Sequence, residues 1–92
     1  MSKILQDISI GKNLQRLRRA RGLTQSQVCA QMTVLGRPMG QSTYAQIETG
    51  TRNIFVSDLI ALKRIFRASY DDIFKDLEPK SKYEAEESEA ES

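Results

Sequence analysis

Apolar residues recur along the first half of the chain at helical spacing. Ile10, Leu14 and Leu17 stand at i, i+4 and i+7, which predicts a first helix over about residues 10–20 that ends before Gly22. Its other face carries Lys12, Arg16 and Arg19, with Arg21 just beyond. Thr24 followed three residues later by Gln27 is a capping-box pattern, and Val28, Cys29 and Met32 mark the buried side of a second helix. The segment TVLGRPMG, residues 33–40, holds two glycines and a proline and cannot continue that helix unbroken. A third helix is expected from about Gln41 to Thr49, stopped by Gly50, with Tyr44 and Ile47 turned inward. After a loop, TRNIFV, Ser57 is the expected cap of a fourth helix burying Leu59, Leu62, Ile65 and Phe66. Ser69 with Asp72 opens a short fifth helix containing Ile73, Phe74 and Leu77.

The reading is an all-α, compact five-helix domain over residues 10–77, with a lead-in at 1–9 and a tail at 78–92. At 92 residues and 39% hydrophobic content the chain can bury one modest core. Met32 belongs to it, Met39 is either loop or a cover for it, and Cys29 reads as a small core residue rather than a reactive thiol.

What distinguishes the third helix is its outer face. Gln41, Ser42, Thr43 and Gln46 are neutral hydrogen-bonding groups where a free-standing surface helix would carry charge. Such groups suit the base edges of the DNA major groove, where Gln can pair bidentately with adenine. Two short helices joined by a turn, the second so furnished, point to a helix-turn-helix unit made of helices two and three.

Charge adds to this picture. The net charge is +2, but residues 1–77 hold twelve basic against six acidic side chains, and residues 78–92 hold two lysines against six glutamates. A basic body attracts polyanions and gains affinity by releasing counterions from nucleic acid. The tail PKSKYEAEESEAES is poor in apolar residues and is expected to be disordered. It could compete with DNA for the basic face or serve only as a solubilising segment.

The absence of histidine and the presence of one cysteine exclude the usual zinc spacings and an intrachain disulfide, which points to a reducing, cytoplasmic setting. Apolar runs are too short for a membrane span, and the N-terminus lacks a signal-peptide core. No phosphate-cradling glycine loop or catalytic constellation is present, so neither an enzyme nor a cofactor or small-molecule ligand is expected.

The stretches IGKNLQRLRRARGLTQSQVCAQM, STYAQIETGTRN and DLIALKRIFRASYDDIF, spanning about residues 10–74, resemble the phage-repressor-like (XRE-type) helix-turn-helix regulators. LRRARGLTQ followed by IETG is the specific part; a lone TQ or IExG would be weak. The resemblance implies a lambda-repressor-like fold whose third helix is the recognition helix, with Gln41, Ser42 and Gln46 facing bases. It implies phosphate contacts from Gln25 and from the loop residues Thr49, Thr51, Arg52 and Asn53. Arg18 and Glu48 match a pair that ties helix one to the end of helix three; alternatively Arg18 simply joins the basic face of helix one.

The joint at residues 33–40 departs from the family pattern, being about five residues longer than the usual three- or four-residue turn. This leaves open how deeply helix three enters the groove. Arg37 within it either reaches a phosphate or solvates the loop, and Gly40 is a weaker N-cap than Ser or Asp.

The function so implied is sequence-specific binding of double-stranded DNA by a transcriptional regulator, a repressor acting as a homodimer. The competing reading is a protein-interaction module on the same fold, such as an antitoxin or phage accessory protein. Candidate dimer contacts are Ile54, Phe55 and Val56, an apolar triplet that cannot all face the domain's own core, together with Phe74 and Leu77; the alternative is that all of them complete the monomer's core.

Overall fold

The computed structural model describes residues 3–4 and 6–79. Among them five helices follow one another: α1 Gly11–Ala20, α2 Gln25–Val34, α3 Gln41–Thr49, α4 Val56–Phe66 and α5 Tyr70–Ile73. Two strands of two residues, β1 Lys3–Ile4 and β2 Ile54–Phe55, pair antiparallel with Ile4 opposite Ile54. The expected disorder of the acidic tail concerns residues outside those described, apart from Glu78 and Pro79. No helix among the described residues is long and apolar enough to cross a membrane.

Local signals set most boundaries. Thr24 Oγ1 accepts from the Gln27 N–H at 3.1 Å while Gln27 Oε1 accepts from the Thr24 N–H at 2.8 Å, a closed capping box that starts α2. Ser69 and Asp72 form the same reciprocal pair at 3.0 Å on each side and start α5. Gly50 ends α3 in the left-handed region at φ 81°, where a side chain would be strained.

Three expectations need correction. Ser57 does not cap α4. Phe55 occupies the N-cap, where its side chain does not cap the helix, and Ser57 lies inside the first turn, because β2 runs straight from its pairing with β1 into the helix. Helix α5 is a single turn, so Phe74 stands at its C-cap and Leu77 lies beyond it. Helix α2 also continues through Thr33 and Val34, confining the joint to residues 35–40.

One core unites the helices. Leu14, Val28, Met32, Tyr44, Ile47, Ile54, Leu62 and Ile73 are almost wholly buried, with Cys29, Met39 and Leu77 packed on the periphery. Each buried aliphatic side chain contributes about 1.5–3 kcal/mol relative to exposure. Burial pushes the Cys29 thiol up from its ordinary value, away from reactive thiolate chemistry. Asn13 on α1 donates to the carbonyls of Ile73 at 2.8 Å and Lys75 at 3.0 Å, satisfying acceptors at the end of α5. Arg16, expected on the open basic face, donates to the Asp72 carbonyl at 3.1 Å and so serves the same clasp.

Gly11 lets α1 approach the end of α3 more closely than any other residue could. A Cβ at this position would fall 2.6 Å from the Glu48 carbonyl carbon and 2.8 Å from the Ile47 carbonyl oxygen. The approach sets α3 against α1 by direct backbone contact.

Candidate nucleic-acid interface

Helix α3 divides cleanly into two faces. Tyr44, Ile47 and Glu48 are buried, Gln41 and Ser42 are exposed, and Thr43 and Gln46 are half-buried. The spacing of 3.6 residues per turn produces this division, since 44, 47 and 48 share one side and 42 and 46 follow another. Gly40 sits at the N-cap in an extended conformation and contributes no side-chain cap.

Arg18 and Glu48 lock the inner face. Arg18 Nε donates to Glu48 Oε2 at 2.7 Å and its Nη2 donates to Oε1 at 3.1 Å, a bidentate fork in which the carboxylate side chain is 2% exposed. The remaining Nη1 donates to the Leu23 carbonyl at 2.9 Å, which ties the turn before α2 into the same unit. Gln25 Nε2 adds a bond to Glu48 Oε1 at 3.2 Å. Helices α1 and α2 are therefore both tied to α3 through one carboxylate. Burial pushes the Glu48 carboxyl up, but Arg18 foremost, then the neighbouring Tyr44 hydroxyl and Gln25, outweigh it and the net shift is downward. The bond to Glu48 raises Arg18 further above its already high value. The Tyr44 hydroxyl is buried beside the pair without a hydrogen bond of good geometry, and burial pushes it well above the usual phenol range.

The loop after α3 is drawn back onto that helix. The Thr51 N–H donates to the Gln46 carbonyl at 3.0 Å, and the hydroxyls of Thr49 and Thr51 donate to the same oxygen at 3.2 and 3.3 Å. Arg52 Nε donates to Gln46 Oε1 at 2.7 Å. Asn53 faces the other way and accepts from the Gln6 N–H at 3.2 Å, joining the loop to the segment before α1. Thr49, Thr51 and Arg52 are exposed, while Gln25 and Asn53 are half-buried.

In the free protein Arg37 is held within the fold. Its Nε donates to Asp58 Oδ1 at 2.7 Å and its guanidinium lies 5.9 Å from the centre of the Phe55 ring. The long joint is thus anchored to the first turn of α4. Asp58, where a carboxylate also complements the helix dipole, was not singled out from sequence, since only the fold brings it opposite Arg37.

The dimer candidates separate by burial. Ile54 is 1% exposed and belongs to the core of its own chain, which removes it as an accessible contact. Phe55 and Leu77 are half-buried, whereas Val56 and Phe74 are 43% and 47% exposed. Phe74 and Leu77 line an apolar groove of about 300 Å³ with Ile8 and Ile10. Sequence reasoning also missed Gly11. The available signal was a glycine at the first position of a helix, where it serves no turn.

No curated protein and no solved structure matches the chain significantly. A model of the helix-turn-helix domain matches residues 9–73, in keeping with the phage-repressor-like resemblance. That span takes in all five helices, the capped α2 and the two-faced α3, and the chain belongs to the helix-turn-helix domain family.

Proposed function

We propose that this protein is a sequence-specific regulator of transcription that places α3 in the major groove of double-stranded DNA. The observation that carries the reading is the asymmetry of α3. Ser42 and Gln46 follow a stripe apart from buried Tyr44, Ile47 and Glu48, with Gln41 exposed in the first turn, while the inner side is held by the buried Arg18–Glu48 fork. A rigid helix with neutral donors and acceptors outward suits base edges, and Gln25, Thr49, Thr51 and Arg52 around it suit phosphates. The bonds to Gln6 and Asp58 use the Asn53 Oδ1 and the Arg37 Nε, so the donors these residues would turn to a phosphate are the Asn53 Nδ2 and the Arg37 Nη groups.

One such helix makes few base contacts, so the regulator works as a homodimer on half-sites about 34 Å apart. Bound in the cytoplasm over a promoter, it represses by occupancy. Selection of genomic fragments at moderate salt tests this. Recurring sequences with paired half-sites are expected, whereas a protein-interaction module on the same fold selects none.

A further inference from the structure

Gln46 and Arg52 form a single hydrogen-bonding unit. The carbonyl of Gln46 already receives the Thr51 N–H and two threonine hydroxyls, so the loop carrying Arg52 is fixed to the helix turn that carries Gln46. The Arg52 Nε–H then closes the unit onto Gln46 Oε1 at 2.7 Å. A guanidinium has donors and no acceptor. The amide oxygen of Gln46 must therefore face Arg52, and its nitrogen must face away.

This changes what Gln46 can recognise. An unengaged glutamine offers one acceptor and one donor, the complement of the adenine N6 amine and N7. Here the acceptor is held by a cation, and the group left to present is the Nε2 amine with two N–H donors, accompanied by the remaining donors of the guanidinium. To accept the adenine amine as well, Oε1 would have to bring that donor alongside the positive charge of Arg52. Guanine has the opposite character on its major-groove edge, with N7 and O6 both acceptors.

We propose that the Gln46–Arg52 pair reads guanine, Gln46 making the contact and Arg52 acting as the positioning residue that turns the amide into a donor-only reader. The proposal rests on α3 being the groove-reading helix.

The test uses the full chain and duplexes built on its selected site. Gln46→Ala identifies the base pair concerned, because selectivity flattens at that position alone. There the wild type is expected to prefer guanine over adenine by about tenfold, and a guanine analogue lacking N7 is expected to lose much of that advantage. Arg52 is exposed, so its variants keep the fold. Arg52→Ala releases Oε1 and moves the preference from guanine to adenine, while Arg52→Lys, which can still donate to Oε1, keeps guanine. A wild-type preference for adenine overturns the proposal. So does an Arg52→Ala variant that weakens all four duplexes equally and still favours guanine. If Gln46→Ala flattens no position, the groove reading fails together with the pair; if it flattens one and Arg52→Ala changes nothing there, the pair alone fails.

Discussion

Gly11 and Glu48 meet backbone against backbone, with no room for even a methyl group between α1 and the end of α3. The clash cannot be relieved by a rotamer change, since the atoms that a Cβ would meet are those of the helix main chain. Gly11→Ala should therefore cost at least about 2 kcal/mol through overpacking, despite the roughly 1 kcal/mol by which alanine favours a helix interior. Urea denaturation measures the difference. A variant as stable as the wild type would mean that α1 slides freely along α3.

The Arg18–Glu48 fork is expected to behave as a buried pair. Glu48→Ala and Arg18→Ala should each destabilise by about 3–5 kcal/mol, because each strands the opposite charge. The double variant should lose much less than the sum of the two. Additive losses below about 1 kcal/mol, typical of surface pairs, would show that the residues do not couple.

The same pair makes stability depend on acid. The Glu48 carboxyl titrates below its ordinary value of 4.5 in the folded chain. Its contribution is thus complete above pH 4.5 and disappears as pH falls through the lower folded value. The melting temperature of the wild type should fall more steeply below pH 4.5 than that of Glu48→Gln. Asp72, also shifted downward by its bonds with Ser69, is common to both proteins and cancels in the comparison. Parallel melting curves would remove Glu48 from the acid transition.

Base contacts and phosphate contacts should respond differently to mutation. Gln41→Ala is expected to cost roughly 1–3 kcal/mol on the preferred site and little on random DNA. Gln25→Ala should weaken both kinds of DNA by a similar factor. Equal losses from Gln41→Ala on the two would contradict a base-reading role.

For self-association, Val56→Lys and Phe74→Ser place polar groups at apolar positions that are 43% and 47% exposed. Each should fold normally, sediment as a monomer at micromolar concentration and lose cooperative occupation of paired half-sites. If both variants bind paired half-sites as the wild type does, the dimer contact lies elsewhere.

The sequence was most legible where the information is local. The Thr24–Gln27 and Ser69–Asp72 boxes, the bounds of α3 and the apolar spacing of α1 all depend on residues within a few positions of one another. Ser57 misled because a good capping residue stood beside a hydrophobic one, and the β1–β2 pairing, some fifty residues long-range, selected Phe55 instead. Arg37 with Asp58, Asn53 with Gln6 and Gly11 with Glu48 are likewise products of tertiary placement. No pattern in the flanking residues announces such partners. For the candidate interface, residue types on α3 were readable, but the orientation of the Gln46 amide was not, since it depends on where the following loop returns.

The joint between α2 and α3 carries a consequence for the rate at which this protein meets its partner. Ordering a residue costs about 1–2 kcal/mol of backbone entropy, and residues 35–40 would bring a large cost to binding if they were ordered only on contact. Instead the Arg37 N–H donates to the Met32 carbonyl at 2.9 Å, the Gly36 N–H to the Thr33 carbonyl at 3.0 Å, and the Arg37 side chain is clasped by Asp58. The entropy of ordering this joint is therefore lost during folding, and a partner would not have to wait for the loop to find its shape. The joint is part of the scaffold of the free chain, so a partner would meet a preformed surface.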